Sequence, residues 1–251
     1  LLKEKIGGPS VKPYQPDGSK KEQISRMFDN IARRYDFLNR LLSLGTDRVW
    51  RKKAIRNLPT GPDSLLLDVA TGTADLAIEM IRQGKAGKVI GVDIANEMLE
   101  IGRQKLKARA LDSRIELQYG DSENLPFDGN TFDGMAVAFG VRNYENLPKG
   151  LLEMARVMKE GGTLVVLEFS KPRIFPFKQI YDGYFRYLLP LIGKITSRDP
   201  KAYRYLYESV QAFPDREHFL AELERAGFGE GSYRSLSLGI CCIYVAKKKT
   251  T

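Results

Sequence analysis

The stretch SLLLDVATGTAD at residues 64–75, followed by KVIGVD at residues 88–93, decides the fold of this chain. The apolar residues at positions 65, 66, 67 and 69 are typical of a strand that is buried on both faces of a parallel sheet. A turn of small residues follows, then a segment of helical length, then a second strand that ends on Asp93. This order of strand, tight turn, helix and strand predicts an α/β sheet with a ligand site at the turn.

The glycine content of the turn separates two classes of cofactor. A dinucleotide site requires the pattern G-x-G-x-x-G, and this turn keeps a single glycine of the three, Gly72. NAD and FAD are therefore disfavoured, because their pyrophosphate needs bare backbone at the start of the helix. A nucleoside without phosphates, such as S-adenosylmethionine, makes no such demand, and Asp93 is spaced to accept hydrogen bonds from its ribose hydroxyls. The alternative is an ordinary strand-to-helix turn of another α/β protein.

Beyond the turn, hydrophobic periodicity predicts further alternation of helices and strands. Asp75 is placed to cap the first helix, over residues 76–83, and Gly84 is placed to end it. The other predicted helices cover residues 95–110, 147–158 and 215–226, and the other predicted strands cover residues 115–119, 133–138, 163–169 and 233–247. This alternation predicts a Rossmann-like sheet.

Two further regions extend the predicted sheet domain. Residues 20–57 carry an apolar stripe at helical spacing, which predicts either a helical cap on the sheet or a lid over the ligand pocket. Residues 172–214 interleave aromatic and basic side chains, with an apolar segment at 188–192. They predict a helical insertion after strand five that lines an apolar substrate pocket or rests on a membrane interface; a helix pair packing on strand five is the alternative. Residues 1–19 predict a flexible arm before a single domain over 20–251.

Composition and charge limit the class of protein. The 251 residues are 43% hydrophobic and 28% charged, as in a soluble globular protein, and no apolar run reaches the roughly 20 residues of a membrane span. No secretory signal is visible, so we expect a cytoplasmic location. The net charge of +9 is consistent with contact with nucleic acid or with an anionic membrane, and a solvated basic surface is the alternative; charge alone does not choose between them.

The cysteines and the histidine carry little functional signal. Cys241 and Cys242 are adjacent in a predicted strand, so their side chains are expected to pack on opposite faces of the sheet. The single histidine, His218, excludes a His-rich metal cluster, and we expect no metal. Two unpaired cysteines are consistent with a reducing compartment.

Polar residues follow the third and fourth predicted strands, where ligands of open α/β sheets bind. Asp121 and Ser122 come directly after the third strand, where a polar side chain is placed to bond an adenine amino group. The alternative for these two residues is the capping of a helix. The segment FGVRN at residues 139–143 follows the fourth strand and is expected to lie over the pocket.

Four segments together resemble one family. They are YDFLNRLLSLG at 35–45 with Arg48 and Trp50, DVATGTAD at 68–75, FGVRN at 139–143 followed by EFSKP at 168–172, and YLYES at 205–209 with Phe213 and Pro214. In this order and spacing they resemble class I S-adenosylmethionine-dependent methyltransferases, and more narrowly the enzymes that C-methylate demethylmenaquinone or the ubiquinone precursor. Asp47 departs from the pattern, because many members have histidine there, and its role stays open.

The resemblance implies a class I methyltransferase fold and S-adenosylmethionine as the cofactor. By motif, the cofactor-binding residues fall on Thr73, Asp93, Asp121 and Ser122, together with Gly72 and Asp68 of the same turn. Thr73, Asp93, Asp121 and Ser122 also agree with what the strand ends indicate independently of the resemblance.

The implied reaction joins the sulfonium methyl group to a ring carbon of a reduced polyprenyl quinol. That carbon is nucleophilic when a neighbouring hydroxyl is ionised, and a free phenol has a pKa of about 10. Arg142 is predicted to stabilise the anion and Asn143 to orient it, with a structural ion pair as the alternative for Arg142. The candidates for the base, which the sequence does not rank, are His218, Asp121, Tyr205 and Glu208.

The predicted substrate is demethylmenaquinol, on the strength of the Thr73-Ala74-Asp75 form of the turn, and a ubiquinone precursor is the alternative. A polyprenyl tail lies in the membrane, so peripheral contact with an anionic inner membrane face would explain both the charge and the aromatic insertion. A homodimer stays open, and no nucleic acid is expected as a partner. The rival functions are a nucleic-acid or other small-molecule methyltransferase and a non-catalytic S-adenosylmethionine-binding protein.

Overall fold

Seven strands form one mixed sheet in the computed structural model, which describes residues 11–183 and 200–250. In chain order they are β1 Leu65–Val69, β2 Lys88–Asp93, β3 Ile115–Tyr119, β4 Phe132–Ala138, β5 Met158–Phe169, β6 Phe228–Leu236 and β7 Cys241–Lys248. Across the sheet their order is β3-β2-β1-β4-β5-β7-β6. Strands β1 to β5 are parallel, and β7 is antiparallel to both of its neighbours. The predicted Rossmann-like α/β sheet is confirmed.

Helices cover both faces of this sheet. In chain order they are α1 Lys20–Leu42, α2 Thr46–Ile55, α3 Asp75–Arg82, α4 Asn96–Lys107, α5 Leu147–Val157, α6 Phe177–Gly183, α7 Pro200–Ala212 and α8 Glu217–Arg225. Side chains of α2, α3 and α4 form one buried core, and side chains of α5 and α8 form the other. Cys241 belongs to the first core and Cys242 to the second, which confirms that the two thiols lie on opposite faces.

The order of the strands reverses at β1, which has β2 on one side and β4 on the other. A crevice forms at such a point beyond the carboxyl ends of the strands. Helix α1 lies across this crevice, because Ser25 Oγ donates to the Ile94 carbonyl at 2.9 Å and Lys20 Nζ donates to the Tyr144 carbonyl at 2.8 Å. The fold therefore places α1 over the expected ligand site.

The start of α3 corrects the prediction for Asp75. Ala74 precedes the helix with a φ of 66°, and the Asp75 carboxylate accepts from Lys105 Nζ at 2.7 Å instead of capping. Asp68, which lies on β1, binds the first turn of the helix instead, because its Oδ2 accepts a hydrogen bond from the Ala77 amide at 3.0 Å. The helix ends as predicted, with Gly84 at a φ of 65°.

Strand β5 is longer than the sequence predicted. It begins at Met158, which pairs with Phe132, whereas hydrophobic periodicity placed its start at Thr163. An irregularity in the β4 register between Phe132 and Gly134 absorbs the extra residues, and Gly161 lies within the strand at a φ of 71°. The segment between the predicted helix at 147–158 and the predicted strand at 163–169 is therefore a bulge inside the strand.

The two flanking regions are described in part. Within the predicted arm, residues 11–19 contact α1, because Gln23 Oε1 accepts from the amides of Tyr14 and Gln15 at 2.9 Å. Within the insertion, α6 and α7 are helical as expected, and the apolar segment at 188–192 lies outside the described residues. Of the helices described, none combines the length and the apolar character that crossing a membrane requires.

Candidate functional site

Two cavities adjoin each other beneath α1. The smaller one lies at the ends of β1, β2, β3 and β4, and the larger one extends from the end of β4 between α1, α2, α6 and α7. Phe28, Tyr35 and Phe139 line both cavities and therefore form the wall between them. Phe139 has a φ of 58°, which a bulky residue rarely adopts. This strained position directs its carbonyl towards Arg142 and Asn143, both of which donate to it.

The turn after β1 forms part of the smaller cavity and uses left-handed backbone at three positions. Gly72 has a φ of 55°, and the alanines at 70 and 74 have φ values of 54° and 66°. Alanine thus occupies conformations that favour glycine, which explains how the turn forms with one glycine. Gly140 packs closely against this turn. A Cβ atom at position 140 would lie only 2.7 Å from the Cβ atom of Ala70.

Asp93 lines the smaller cavity and holds the turn in place. Its Oδ2 accepts from the Gly72 amide at 2.8 Å and its Oδ1 accepts from the Ala95 amide at 2.9 Å. Burial raises the pKa of Asp93 to about 6, against the lowering effect of these amide bonds. A carboxylate has about four lone-pair sites, so a further donor such as a ribose hydroxyl can still bind Asp93.

Asp68 and Thr73, two predicted cofactor residues, line neither cavity. Thr73 Oγ1 donates to Asp36 at 2.7 Å and accepts from Lys105 at 2.9 Å. Asp68 accepts from Thr71 Oγ1 at 2.6 Å, while its buried Oδ1 has no partner among the described residues. Burial raises the pKa of Asp68 to about 7. Direct contact of these two side chains with the cofactor stays a prediction.

The other predicted cofactor residues, Gly72, Asp93, Asp121 and Ser122, all line the smaller cavity. Asp121 Oδ2 accepts from Lys21 Nζ at 2.5 Å, so α1 reaches the adenine side of the predicted site. Among the described lining residues, four carboxylates (Asp93, Asp121, Glu123 and Glu145) face one ammonium group, that of Lys21. This excess of negative charge fits a cationic nucleoside.

The larger cavity is mostly apolar and has a volume of about 430 Å³. Among its described lining residues, Asp47 is the one carboxylate and Arg142 is the one guanidinium. The apolar lining consists of Met27, Phe28, Ile31, Leu38, Leu44, Trp50, Phe139, Phe169, Pro172, Phe177, Ala202, Leu206, Leu238 and Ile240. An apolar chamber with a few convergent polar groups suits a largely hydrophobic ligand that carries polar atoms at one end.

Arg142 is held by a buried ion pair at the wall of the larger cavity. Its Nη1 lies 2.8 Å from Glu168 Oε1, and its guanidinium lies over the Phe169 ring, 5.4 Å from the ring centre. Burial raises the pKa of Glu168, and Arg142 opposes that rise. The Nε of Arg142 is buried and has no partner among the described residues. The structural ion pair therefore exists, and the described hydrogen bonds of the guanidinium all go through Nη1.

Asn143 lies on the other side of the wall and lines the smaller cavity. Its Oδ1 accepts from the Tyr205 hydroxyl of α7 at 3.1 Å, so α7 fixes its orientation. Of the four proposed bases, Tyr205 lines the larger cavity and Asp121 lines the smaller one, while His218 and Glu208 line neither. Burial raises the pKa of Tyr205, so its hydroxyl is a donor and a poor base.

Tyr35 and Asp47 are the site residues that sequence reasoning missed or left open. Burial raises the pKa of the Tyr35 hydroxyl, whereas Asn39 and the nearby Arg51 and Arg142 lower it. Asp47 is 4% exposed, accepts from Ser43 Oγ at 2.9 Å and is ion-paired with Arg51. Tyr35 belongs to the apolar stripe of α1, but the stripe does not indicate which of its members face a ligand.

Comparisons with known proteins identify the family of this chain. The sequence model of the ubiE/COQ5 methyltransferase family matches residues 17–248. A demethylmenaquinone methyltransferase from Bacteroides fragilis is 45% identical over 238 residues, which cover 95% of this chain and 97% of the relative. One from Porphyromonas gingivalis is 46% identical over 239 residues, with 95% and 98% covered. A ubiquinone/menaquinone biosynthesis C-methyltransferase, UbiE, from Geotalea daltonii is 44% identical over 230 residues, with 91% and 97% covered.

Solved structures support the fold. The [4+2]-cyclase SpnF aligns with a TM-score of 0.67 at 16% identity, covering 98% of this chain and 100% of the cyclase. A SAM-dependent methyltransferase from Aquifex aeolicus aligns with a TM-score of 0.54 at 22% identity, covering 76% of this chain and 84% of the other. At these identities the likeness concerns the architecture of the sheet and its helices alone.

Proposed function

Because this chain belongs to the ubiE/COQ5 methyltransferase family, we propose that it C-methylates the ring of demethylmenaquinol with S-adenosylmethionine as the methyl donor. The relatives from Bacteroides fragilis and Porphyromonas gingivalis are named for demethylmenaquinone, and this favours the menaquinone reaction. A ubiquinone precursor is the second candidate, since the Geotalea daltonii relative is named for both pathways.

The observation that carries this proposal is the pair of cavities with a shared wall. The smaller, acidic cavity suits a cationic nucleoside, and the larger, apolar cavity suits a prenylated ring. Phe28, Tyr35 and Phe139 line both cavities and mark the place where the two adjoin. Methyl transfer needs direct, in-line contact between the methyl group and the ring carbon, so we assign the reacting atoms to this junction, with no covalent intermediate on the protein.

We assign the ring oxygens to the polar groups of the larger cavity. When bound, S-adenosylmethionine supplies an electrophilic methyl group. The guanidinium of Arg142, which lines this cavity, stabilises a ring oxygen as it becomes anionic, and Tyr205 holds Asn143 at the wall. Asp47 is the described carboxylate of this cavity, and Arg51 balances its charge. We therefore propose Asp47 as the acceptor of the hydroxyl proton, in place of the four candidates from the sequence.

We also propose that the protein works at the inner, cytoplasmic face of an anionic membrane. The substrate carries a polyprenyl tail, which partitions into lipid, and the chain carries a net charge of +9. Basic proteins are attracted to anionic leaflets over about one Debye length, roughly 8 Å at physiological salt.

A methyl-transfer assay tests the proposed function. Purified protein is incubated with radiolabelled S-adenosylmethionine and one of four acceptors: a demethylmenaquinol, a demethylated ubiquinone precursor, RNA, or none. We expect label in the extracted menaquinol. Label in RNA would establish the nucleic-acid rival, and cofactor binding without transfer to any acceptor would establish the non-catalytic one.

A further inference from the structure

Three apolar side chains line the larger cavity and are also exposed to solvent, so they mark its opening. They are Leu44, which is 88% exposed, Leu238, which is 54% exposed, and Phe177. Ile174 and Phe175 continue this apolar surface next to Phe177, and Phe175 is 77% exposed. We refer to these five residues as the cavity rim. They come from three separate parts of the chain, which the fold brings together at the opening.

The backbone of the cavity rim is strained at both leucines. Leu44 has a φ of 51° and Leu238 has a φ of 59°, in the left-handed region that leucine rarely adopts and asparagine tolerates better. Neighbouring contacts hold these turns, since the Gly45 amide donates to the Arg40 carbonyl at 2.8 Å and Trp50 Nε1 donates to Ser237 Oγ at 2.9 Å. Each leucine is thus unfavourable in two ways, by its backbone and by its exposure to water. Strain that persists at such a place indicates a function for the side chain.

Basic residues surround the cavity rim. Residues 40–53 contain five basic side chains and one acidic one, Asp47, which is buried in its pair with Arg51. Residues 171–178 contain three basic side chains and no acidic one, and two of them, Lys171 and Arg173, are ion-paired with acidic residues at 215 and 217. Arg48 and Lys178 are exposed beside rim residues. An apolar patch within positive charge complements an anionic lipid surface, whereas a second copy of this chain would bring the same charge to the contact.

We propose that the cavity rim inserts into the surface of an anionic lipid bilayer, so that the larger cavity opens into lipid. The inference rests on the proposed function, whose acceptor carries a lipid-soluble tail. A polyprenyl quinol then enters the cavity from the bilayer without crossing water, and its tail stays in lipid while the ring reaches Arg142. The two leucines are the anchors, and the basic residues provide the attraction to the headgroups.

A vesicle-binding experiment on the full chain tests this inference. Flotation compares vesicles of phosphatidylglycerol and phosphatidylcholine with vesicles of phosphatidylcholine alone. The wild type should bind the anionic vesicles, and less so at high salt. The double variant Leu44→Asn/Leu238→Asn should bind on the order of 100-fold more weakly, about tenfold for each leucine withdrawn from lipid. The control Leu152→Gln alters a leucine that is also 54% exposed but lines neither cavity, and it should bind like the wild type.

The same variants separate this inference from the proposed function. Asparagine relieves the strained backbone, so the double variant should melt at the wild-type temperature or above it. The combined substitutions Ile174→Ser and Phe175→Ser, at rim residues that do not line the larger cavity, should leave the wild-type rate with a short-tailed, water-soluble demethylmenaquinol unchanged and should lose turnover with a long-tailed quinol in vesicles. If the wild type methylates neither quinol, the proposed function fails. If it methylates the short-tailed quinol while the wild type and the double variant bind vesicles equally, or neither binds, the docking inference is wrong. Self-association of the wild type that the double variant abolishes would assign the cavity rim to a second copy instead.

Discussion

At the scale of single residues, Arg142 combines two roles that the sequence presented as alternatives. Its ion pair with Glu168 is buried, and such pairs are a weak source of stability, although losing one partner leaves a costly unpaired charge. Its Nε faces no described partner, and the residue lines the larger cavity. The ion pair fixes the guanidinium beside the larger cavity, so that its positive charge is preorganised for an anionic oxygen.

Removing Arg142 should therefore stop turnover and leave cofactor binding intact. Arg142→Ala alone would strand Glu168, so the informative protein is Arg142→Ala/Glu168→Gln, with Glu168→Gln as the matched control. We expect the double variant to lose on the order of 10²–10³ in kcat, the usual effect of losing one donor to a developing anion. Calorimetry should give an unchanged affinity for S-adenosylmethionine. If the double variant turns over within about tenfold of the control, which corresponds to about 1.4 kcal/mol in the activation barrier, this role for Arg142 is wrong.

Asp47 should affect the pH dependence of the reaction. Asp47→Asn keeps the size of the side chain but cannot accept a proton, so kcat at pH 7 should fall on the order of 10²–10³-fold. The rate of the variant should then rise with pH towards the phenol pKa of about 10, because the substrate ionises without help, whereas the wild-type rate should level off earlier.

Ser43→Ala is the matched control, since it removes a hydrogen bond to Asp47 and keeps the carboxylate. It should retain the wild-type pH profile. If Asp47→Asn changes the melting temperature and leaves kcat and its pH profile unaltered, the pair with Arg51 is purely structural.

At the scale of helices and strands, α1 owes its position to a residue distant in sequence. Glu145 follows the end of β4, and its Oε1 accepts from the Lys20 amide at 2.7 Å while its Oε2 accepts from Ser19 Oγ at 3.2 Å. A carboxylate at the first turn of a helix satisfies its free amides and favours its dipole. Glu145 therefore fastens the start of α1 over the smaller cavity, which α1 lines with Lys21, Ile24 and Phe28.

Glu145→Ala should loosen the first turns of α1. We expect amide hydrogen exchange over residues 20–27 to quicken by about tenfold or more, because hydrogen bonds to a charged group contribute about 1.5–3 kcal/mol. The affinity of this variant for S-adenosylmethionine should also fall. Glu153→Ala is the matched control, since Glu153 also accepts from a backbone amide, that of Leu125, but does not contact α1. Equal exchange in the two variants would show that Glu145 does not fasten α1.

Some elements could be predicted from the sequence because their cause is local. Strand β3 matches its predicted bounds, and β1, β2 and β4 differ by a residue or two at most, since each is a short apolar run between clear breaks. The start of α3 could not be predicted, because Asp75 prefers Lys105 on α4 to the amides of its own helix. The start of β5 depended on a register irregularity opposite β4, which is again a non-local event.

At the scale of the whole molecule, the same distinction separates the two cavities. The acidic residues of the smaller cavity follow strand ends, so topology alone placed Asp93 and Asp121 there. The larger cavity joins α1, α2, α6 and α7 with the end of β4, and no local pattern shows which face of each helix contributes. The sequence therefore did not predict that Asp47 and Tyr35 belong to one site.

Because the smaller cavity joins α1 to the ends of four strands, bound cofactor should stabilise the entire chain. At 100 times Kd, a ligand that binds the folded state alone adds about 2.7 kcal/mol. For a chain of this size that corresponds to a rise in Tm of about 5–10 °C. Scanning fluorimetry with S-adenosylmethionine measures it. Asp93→Asn should reduce the shift, and Asp63→Asn, at an exposed position that lines neither cavity, should not.

The shift should also depend on pH, in a direction that the burial of Asp93 fixes. Burial raises the pKa of this carboxyl to about 6, so the free protein holds a proton there below that pH. Ribose hydroxyls and a cationic ligand favour the ionised form, so binding expels the proton and becomes stronger as pH rises through about 6. The rise in Tm should therefore be larger at pH 7.5 than at pH 5, and the difference should shrink in Asp93→Asn. A shift that is equal at both pH values in the wild type would mean that the ligand does not engage Asp93.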